Sequence, residues 1–379
     1  MQPINRLQLL HDAGQSIWLD YIDREMLRDG ELERRIASDY LTGMTSNPTI
    51  FEKAMAEGTA YDEQLAGAPA RLAAWELFEL VETDDVRSAC DIFKSVHERS
   101  GGGDGFVSIE VSPAAAHDAD ATVLEARRLW AMVSRPNVMI KVPGTADGAV
   151  STRRLIAEGI NVNITLLFSR DAYKKVIEAY LAGLEDRVAA GRPIRQISSV
   201  ASFFVSRVDT EVDKRIGALL SGASPEVAAR LKKLQGRVAV ANAKLAYALF
   251  REAFSGPRWE ALAAHGARLQ RPLWASTSTK NPAYRDVLYV EDLIGPDTVN
   301  TMPPATIEAF RDHGEVKRTV DSGLDAERAL LAEMESLGIS LASVTDKLLV
   351  DGLASFQKSF DTLIARLDEK ARKLASVQG

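Results

Sequence analysis

Short apolar runs rich in β-branched residues recur along this chain, and most are followed by a longer segment whose apolar positions fall at helical spacing. The runs at residues 16–20, 39–45, 106–112, 137–142, 159–166, 196–204, 272–277 and 298–302 predict eight strands. Helices are predicted at 84–99, 119–133, 146–157, 170–190 and 304–312. The long stretch 209–254 also has helical spacing, with Ser224 and Pro225 as an N-cap and N1 pair inside it. Val138, Met139 and Ile140 are apolar on both faces of their strand, as parallel strands covered by helices require. Eight such strands with interposed helices fit a (β/α)8 TIM barrel with extra helices better than an open doubly wound sheet. Residues 52–89 break the strict alternation with a long helical excursion before the third strand.

From about Gly323 the pattern is helical to the end, with helices predicted at 326–337 and 344–374. Leu348, Leu349, Leu353, Phe356, Phe360, Leu363 and Leu367 recur at three- and four-residue spacing. Such a tail packs on the barrel; the functional alternative is a lid over its mouth. The expected organisation is one barrel domain over residues 1–379, with 323–379 a C-terminal helical extension packed on it.

Composition narrows the function. Of 379 residues, 46% are hydrophobic, enough to bury a large core. With 53 acidic against 46 basic residues the net charge is −7, so no overall field favours nucleic acid, and an anionic substrate needs a local basic pocket. The single cysteine, Cys90, excludes an internal disulfide and a thiolate metal cluster. No run approaches the roughly 20 apolar residues that span a bilayer. The first residues lack the basic-then-apolar order of a secretory leader. The expectation is a cytoplasmic protein without a membrane partner. The five histidines, at 11, 97, 117, 265 and 313, show no metal-ligand spacing. The run Gly101-Gly102-Gly103-Asp104-Gly105 precedes a strand rather than following one, so it reads as a flexible turn and not a phosphate cradle.

In a TIM barrel chemistry sits at the C-terminal ends of the strands. The polar residues there are Asp20, Thr45-Ser46-Asn47, Glu110, Lys141, Asn163 and Thr165, Ser202 with Arg207 beyond it, and Ser276-Thr277-Ser278-Thr279-Lys280. Lys141 follows three apolar residues, a setting that desolvates the amine and disfavours its charged form. A neutral amine in a sugar-sized cavity suits Schiff-base formation with a ketone. A lysine neutralised by Glu110 or Asp20 and merely holding strands suits the position equally well. Two carboxylates in different environments divide the proton transfers that a Schiff-base reaction needs, one of them through water. Asp23 rivals Asp20 but falls in a solvated position. Asn163 and Thr165 share a strand face, fit either for interior hydrogen bonding or for holding a hydroxyl or a water. Arg207, Ser276, Ser278 and Lys280 make a candidate phosphate pocket beside the last strands, where the Ser/Thr run alternatively caps a helix.

The segments GMTSNPTIF, VSIEVSP, NVMIKVPGT, EGINVNITLLFS, SVASFFVSRVD and WASTSTKNP, in this order, resemble the transaldolases. The last resembles their longer bacterial branch. The resemblance implies a (β/α)8 barrel that moves a dihydroxyacetone unit from a ketose phosphate (fructose 6-phosphate or sedoheptulose 7-phosphate) to an aldose phosphate (erythrose 4-phosphate or glyceraldehyde 3-phosphate). It implies no metal and no organic cofactor. By resemblance Lys141 is the Schiff-base lysine, and Asp20 is the acid/base of C–C cleavage. Glu110 is the carboxylate acting through a water that Thr165 holds. Asn47 and Asn163 match residues that bind dihydroxyacetone hydroxyls, with Thr45 and Ser202 nearby. Arg207 matches the phosphate-binding arginine and Ser276 a serine of the same pocket. Many relatives carry a second arginine where Ser278 stands here, and Lys280 is positioned to replace its charge. Phe204 matches an aromatic that favours transfer, where simple aldolases of the superfamily carry tyrosine.

The leading expectation is therefore a transaldolase of the pentose phosphate pathway, a monomer or homodimer with sugar-phosphate partners and no nucleic acid. Its alternatives are a Schiff-base aldolase using the same lysine and a non-catalytic sugar-phosphate-binding barrel.

Overall fold

The computed structural model describes residues 5–56, 59–69 and 72–378. Eight strands form a closed parallel barrel in sequence order: β1 Gln15–Asp20, β2 Leu41–Thr45, β3 Phe106–Glu110, β4 Val138–Pro143, β5 Val162–Leu167, β6 Ser199–Phe204, β7 Gln270–Ala275 and β8 Thr298–Met302. β8 pairs with β1 to complete the ring. This is the (β/α)8 barrel that the apolar runs predict. Six of the strands are buried along their whole length because helices cover the outside and side chains fill the inside.

The register aligns the polar residues near the C-terminal ends. Asp20 lies opposite Thr45, Glu110 opposite Lys141, and Lys141 opposite Asn163. Gly43 allows the first of these pairings, since a Cβ there would stand 2.4 Å from the indole of Trp18. At the opposite end, the glycine run closes the barrel floor. Gly101, Gly102 and Gly105 take positive φ, and Asp104 is buried between them, accepting from Trp18 Nε1 at 2.8 Å and from Ser16 Oγ. The turn is anchored by its aspartate.

Several boundaries differ from the pattern for local reasons. Strand β3 stops at Glu110 because Pro113 opens a 3-10 helix, Pro113–His117. Strand β7 stops at Ala275 because Ser276 takes φ 55°. The stretch 209–254 is three helices, Ser206–Leu220, Pro225–Lys232 and Val238–Ala253, with Ser224 Oγ capping the second at Val227 N. Gly236, at φ 68°, lies in the break before the third. The excursion at 52–89 resolves into Pro48–Ala56, Asp62–Gly67 and the first half of Ala74–Arg99. Its residues 57–58 and 70–71, like the chain ends 1–4 and 379, lie outside the described residues.

The tail forms helices Leu324–Ser336 and Leu341–Gln378. The second is anchored against the barrel helices by Phe360, edge-on to Phe78 at 5.9 Å, and by a 2.7 Å ion pair from Lys370 to Asp62. Among the described residues no helix is long and apolar enough to cross a membrane.

Candidate active site

A cavity of about 420 Å3 opens at the C-terminal ends of the strands. Its wall includes Asp20, Thr45, Asn47, Lys141, Thr165, Ser202, Phe204, Arg207, Ser276, Ser278 and Lys280. Strands β1, β2, β4, β5 and β6 and the segment after β7 each contribute, so the barrel gathers residues far apart in sequence.

Lys141 sits deep in this cavity, 5% exposed. Its Nζ donates to the carbonyl oxygen of Ser46 at 2.9 Å and lies 3.1 Å from Glu110 Oε2. Burial pushes the Glu110 carboxyl above the ordinary carboxylate range, against the pull of Lys141. Among the described residues neither Glu110 oxygen accepts a hydrogen bond of regular geometry, and Thr165 Oγ1 has no partner. Three buried oxygens with spare capacity thus flank the lysine.

Asp20 accepts from Thr45 Oγ1 at 2.8 Å, and Thr45 in turn shares a 2.6 Å hydrogen bond with Thr301 Oγ1 of β8. Burial raises the Asp20 carboxyl above its ordinary value, while Lys141, the Thr45 hydroxyl, Lys280 and Arg207 pull it down. Two carboxyls of raised proton affinity therefore flank one amine, in different surroundings. Asp23, the rival, caps helix Arg24–Arg28 by accepting from Met26 N at 2.8 Å and is absent from the cavity wall.

Arg207 and Lys280 form the cationic side. The Arg207 guanidinium lies 5.3 Å from the Phe204 ring centroid and has no carboxylate or hydrogen-bond acceptor among the described residues. Burial lowers its proton affinity, as it does that of Lys280, where the neighbouring Arg207 charge adds to the effect. Lys280 Nζ donates to Ser278 Oγ at 2.6 Å, so the two residues at the site of the expected second arginine act as one unit. Ser276 Oγ pairs with Ser206 Oγ at 2.9 Å. Among the described residues neither cation forms an ion pair, and the two together suit a phosphate.

Two predicted residues sit outside the cavity wall. Asn163 is fully buried beneath it, with Nδ2 donating to Ser108 Oγ at 2.9 Å and Oδ1 accepting from Ser202 Oγ at 2.7 Å. Glu110 borders a neighbouring cavity of about 530 Å3 that also holds Glu82 and Glu125. Asn47 is in the wall, with Oδ1 accepting from Ile50 N at 3.0 Å at the start of helix Pro48–Ala56.

Sequence reasoning missed Thr301 and Phe356 and, although it placed Ser46 at a strand end, the role of that residue's carbonyl. Thr301 lies on the one strand for which no polar end was considered. Ser46 acts through its backbone carbonyl, which leaves no trace in residue type. Phe356 comes from a helix whose apolar spacing matches any packed helix, yet its side chain is in the cavity wall. Among the described residues no three His, Cys, Asp or Glu side chains come together as metal ligands would.

The fold and site together define a (β/α)8 barrel whose cavity sets a buried lysine between carboxyls and faces the cations Arg207 and Lys280. A model of the family described as Transaldolase/Fructose-6-phosphate aldolase matches residues 17–367. The transaldolase of Thermobifida fusca is 50% identical over 372 residues, 98% of this chain and 98% of its own. Transaldolase 2 of a Nostoc species is 46% identical over 379 residues, 99% of this chain and 100% of its own. Transaldolase 1 of Streptomyces coelicolor is 48% identical over 361 residues, 95% and 93% of the two chains. The chain belongs to the transaldolase/fructose-6-phosphate aldolase family.

Proposed function

We propose that the chain is a transaldolase that carries a dihydroxyacetone unit from fructose 6-phosphate or sedoheptulose 7-phosphate to erythrose 4-phosphate or glyceraldehyde 3-phosphate. The observation that carries the reading is the buried Lys141–Glu110 pair in one site with Asp20 and the cationic Arg207.

In this reading Arg207 and Lys280, with Ser276 and Ser278, hold the phosphate and set the sugar's C2 carbonyl toward Lys141. The amine gives a proton to Glu110 and attacks C2. Glu110, through a water held by Thr165, shuttles protons until the C2 hydroxyl leaves as water and the iminium forms. Asp20 takes the C4 hydroxyl proton, the C3–C4 bond breaks, and the electron pair enters the iminium to give an enamine. The aldehyde product departs. Addition of the enamine to an aldose acceptor reverses these steps, with Asp20 returning its proton to the new alkoxide. Asn47 orients the dihydroxyacetone hydroxyls, and Asn163 acts from below by fixing Ser202.

The reading takes the whole chain as one barrel domain, with residues 323–379 packed on it, free of metal and organic cofactor. It is placed in the cytoplasm as a monomer or homodimer without nucleic acid; the buried free thiol of Cys90 supports a reducing compartment. Aldol cleavage with release of free dihydroxyacetone is the second reading, because the family description covers aldolases as well as transaldolases. Phe204 beside Arg207 favours transfer.

The test is release of glyceraldehyde 3-phosphate from fructose 6-phosphate, with and without erythrose 4-phosphate. Sustained release only with the acceptor is the expected result. Sustained release without it makes the chain an aldolase, and no release in either case leaves a binding barrel.

A further inference from the structure

Helix Leu341–Gln378 crosses the barrel mouth. Near its start Ser343 Oγ accepts from Arg215 at 3.0 Å, and Arg215 belongs to the helix that follows β6. Sixteen residues on, Ser359 Oγ accepts from Thr49 at 2.8 Å, at the helix that follows β2. In a ring of eight strands β2 and β6 stand on opposite sides. The helix between these two anchors runs about 24 Å, a span fit to reach from one rim to the other.

Gly352 and Phe356 lie one turn apart between the anchors. Gly352 brings the helix backbone close to the phosphate side, since a Cβ there would stand 3.0 Å from Leu166 Cδ2 and 3.8 Å from Arg207 Nη1. Leu166 follows Thr165 and holds a left-handed φ of 59°, so this contact bears on a strained part of β5. Phe356 is 7% exposed and shares the cavity wall with Asp20, Asn47, Lys141 and Arg207. Among the described residues that line the cavity, it is the one this helix supplies.

A large apolar ring belongs in such a polar cavity where water must be kept out. The intermediate in the proposed reaction has a route to loss. Protonation of the enamine at C3 restores the iminium, and water then adds to C2. The C2–N bond breaks with its electron pair going to nitrogen, and a proton moves from the added oxygen to the amine. Free dihydroxyacetone leaves. An enzyme that waits for an acceptor must hold this second water away. We propose that Phe356 is the specificity-determining roof of the site, setting how the lysine-bound dihydroxyacetone divides between transfer to an aldose and loss to water.

The inference rests on the Schiff-base reading, and its test separates the two. Glyceraldehyde 3-phosphate release from fructose 6-phosphate is measured with and without erythrose 4-phosphate for the parent, Phe356→Ala and Phe356→Leu, with borohydride trapping of each protein alongside. Phe356→Ala raises the acceptor-independent rate relative to the transfer rate by roughly tenfold, with the Lys141 adduct still trapped. Phe356→Leu keeps most of the apolar volume and gives a smaller rise, and it carries the test if the alanine variant does not fold. A phenylalanine that only anchors the helix lowers both rates together; an unchanged ratio in the folded variants overturns the inference while leaving the Schiff base intact. Absence of any adduct in the parent overturns the Schiff-base reading, and this inference with it.

Discussion

Lys141 Nζ lies 3.1 Å from Glu110 Oε2, with both side chains almost wholly withdrawn from solvent. A pair buried this deeply is an unpromising source of stability, because desolvation of two charges offsets much of their attraction. In the proposed mechanism its value is chemical, since it places a proton acceptor beside the amine that must lose a proton.

Glu110→Gln tests that value. The substitution keeps the shape and removes the acceptor, so kcat falls about 100-fold or more. It also leaves Lys141 without its buried carboxylate, which costs about 3–5 kcal/mol of stability. Steady-state kinetics and thermal unfolding check the two parts, and a variant with parental kcat contradicts the role.

In the proposed mechanism Asp20 acts as a base in its ionised form. Burial raises its proton affinity, so activity declines with falling pH at a higher pH than an ordinary carboxylate would impose. The Thr45 hydroxyl bonds to the carboxylate and favours ionisation. Thr45→Val therefore moves the acid limb of the kcat profile to still higher pH, by a cause distinct from any loss of substrate affinity. A limb that stays in place argues for a different base.

Among the described residues Arg207 presents its charge to the cavity without a carboxylate ion pair, whereas Lys280 is already bonded to Ser278. Arg207→Ala lowers kcat/KM for fructose 6-phosphate about 10- to 100-fold, the scale of a charge-assisted hydrogen bond of about 1.5–3 kcal/mol. Most of the effect falls on KM, and Lys280→Ala does less. Turnover of unphosphorylated fructose falls much less under either change, and an equal loss for both sugars would falsify the phosphate assignment.

Glu82 lies in helix Ala74–Arg99, buried in the cavity that Glu110 also borders, and it makes no hydrogen bond or ion pair among the described residues. Burial holds its proton affinity well above the model-peptide range, and the Glu110 and Glu125 charges add to this. The folded protein therefore keeps a proton that the unfolded chain releases, and folding loses stability as pH rises above the unfolded value. Glu82→Gln mimics the neutral acid. It raises the melting temperature at pH 8, and the gain vanishes below the ordinary glutamate range. A variant less stable than the parent at pH 8 contradicts a neutral Glu82.

The barrel and the floor of the site were legible because each depends on a local signal. Runs apolar on both faces marked β4 and its neighbours, and a lysine or carboxylate within such a run is conspicuous against its surroundings. What stayed hidden depends on three-dimensional register. Asn163 and Thr165 share a strand face and read alike, yet one residue pair of depth puts Thr165 in the cavity and Asn163 beneath it, spent on Ser108 and Ser202. Phe356 was one apolar residue among seven at regular spacing. Only the path of its helix across the mouth sets it apart from Leu363 or Leu367.

Borohydride reduction in the presence of fructose 6-phosphate, followed by peptide mapping, tests the central claim most directly. The account predicts a reduced three-carbon adduct on Lys141, lost in Lys141→Met. An adduct on another lysine, or none while the sugar is turned over, contradicts it.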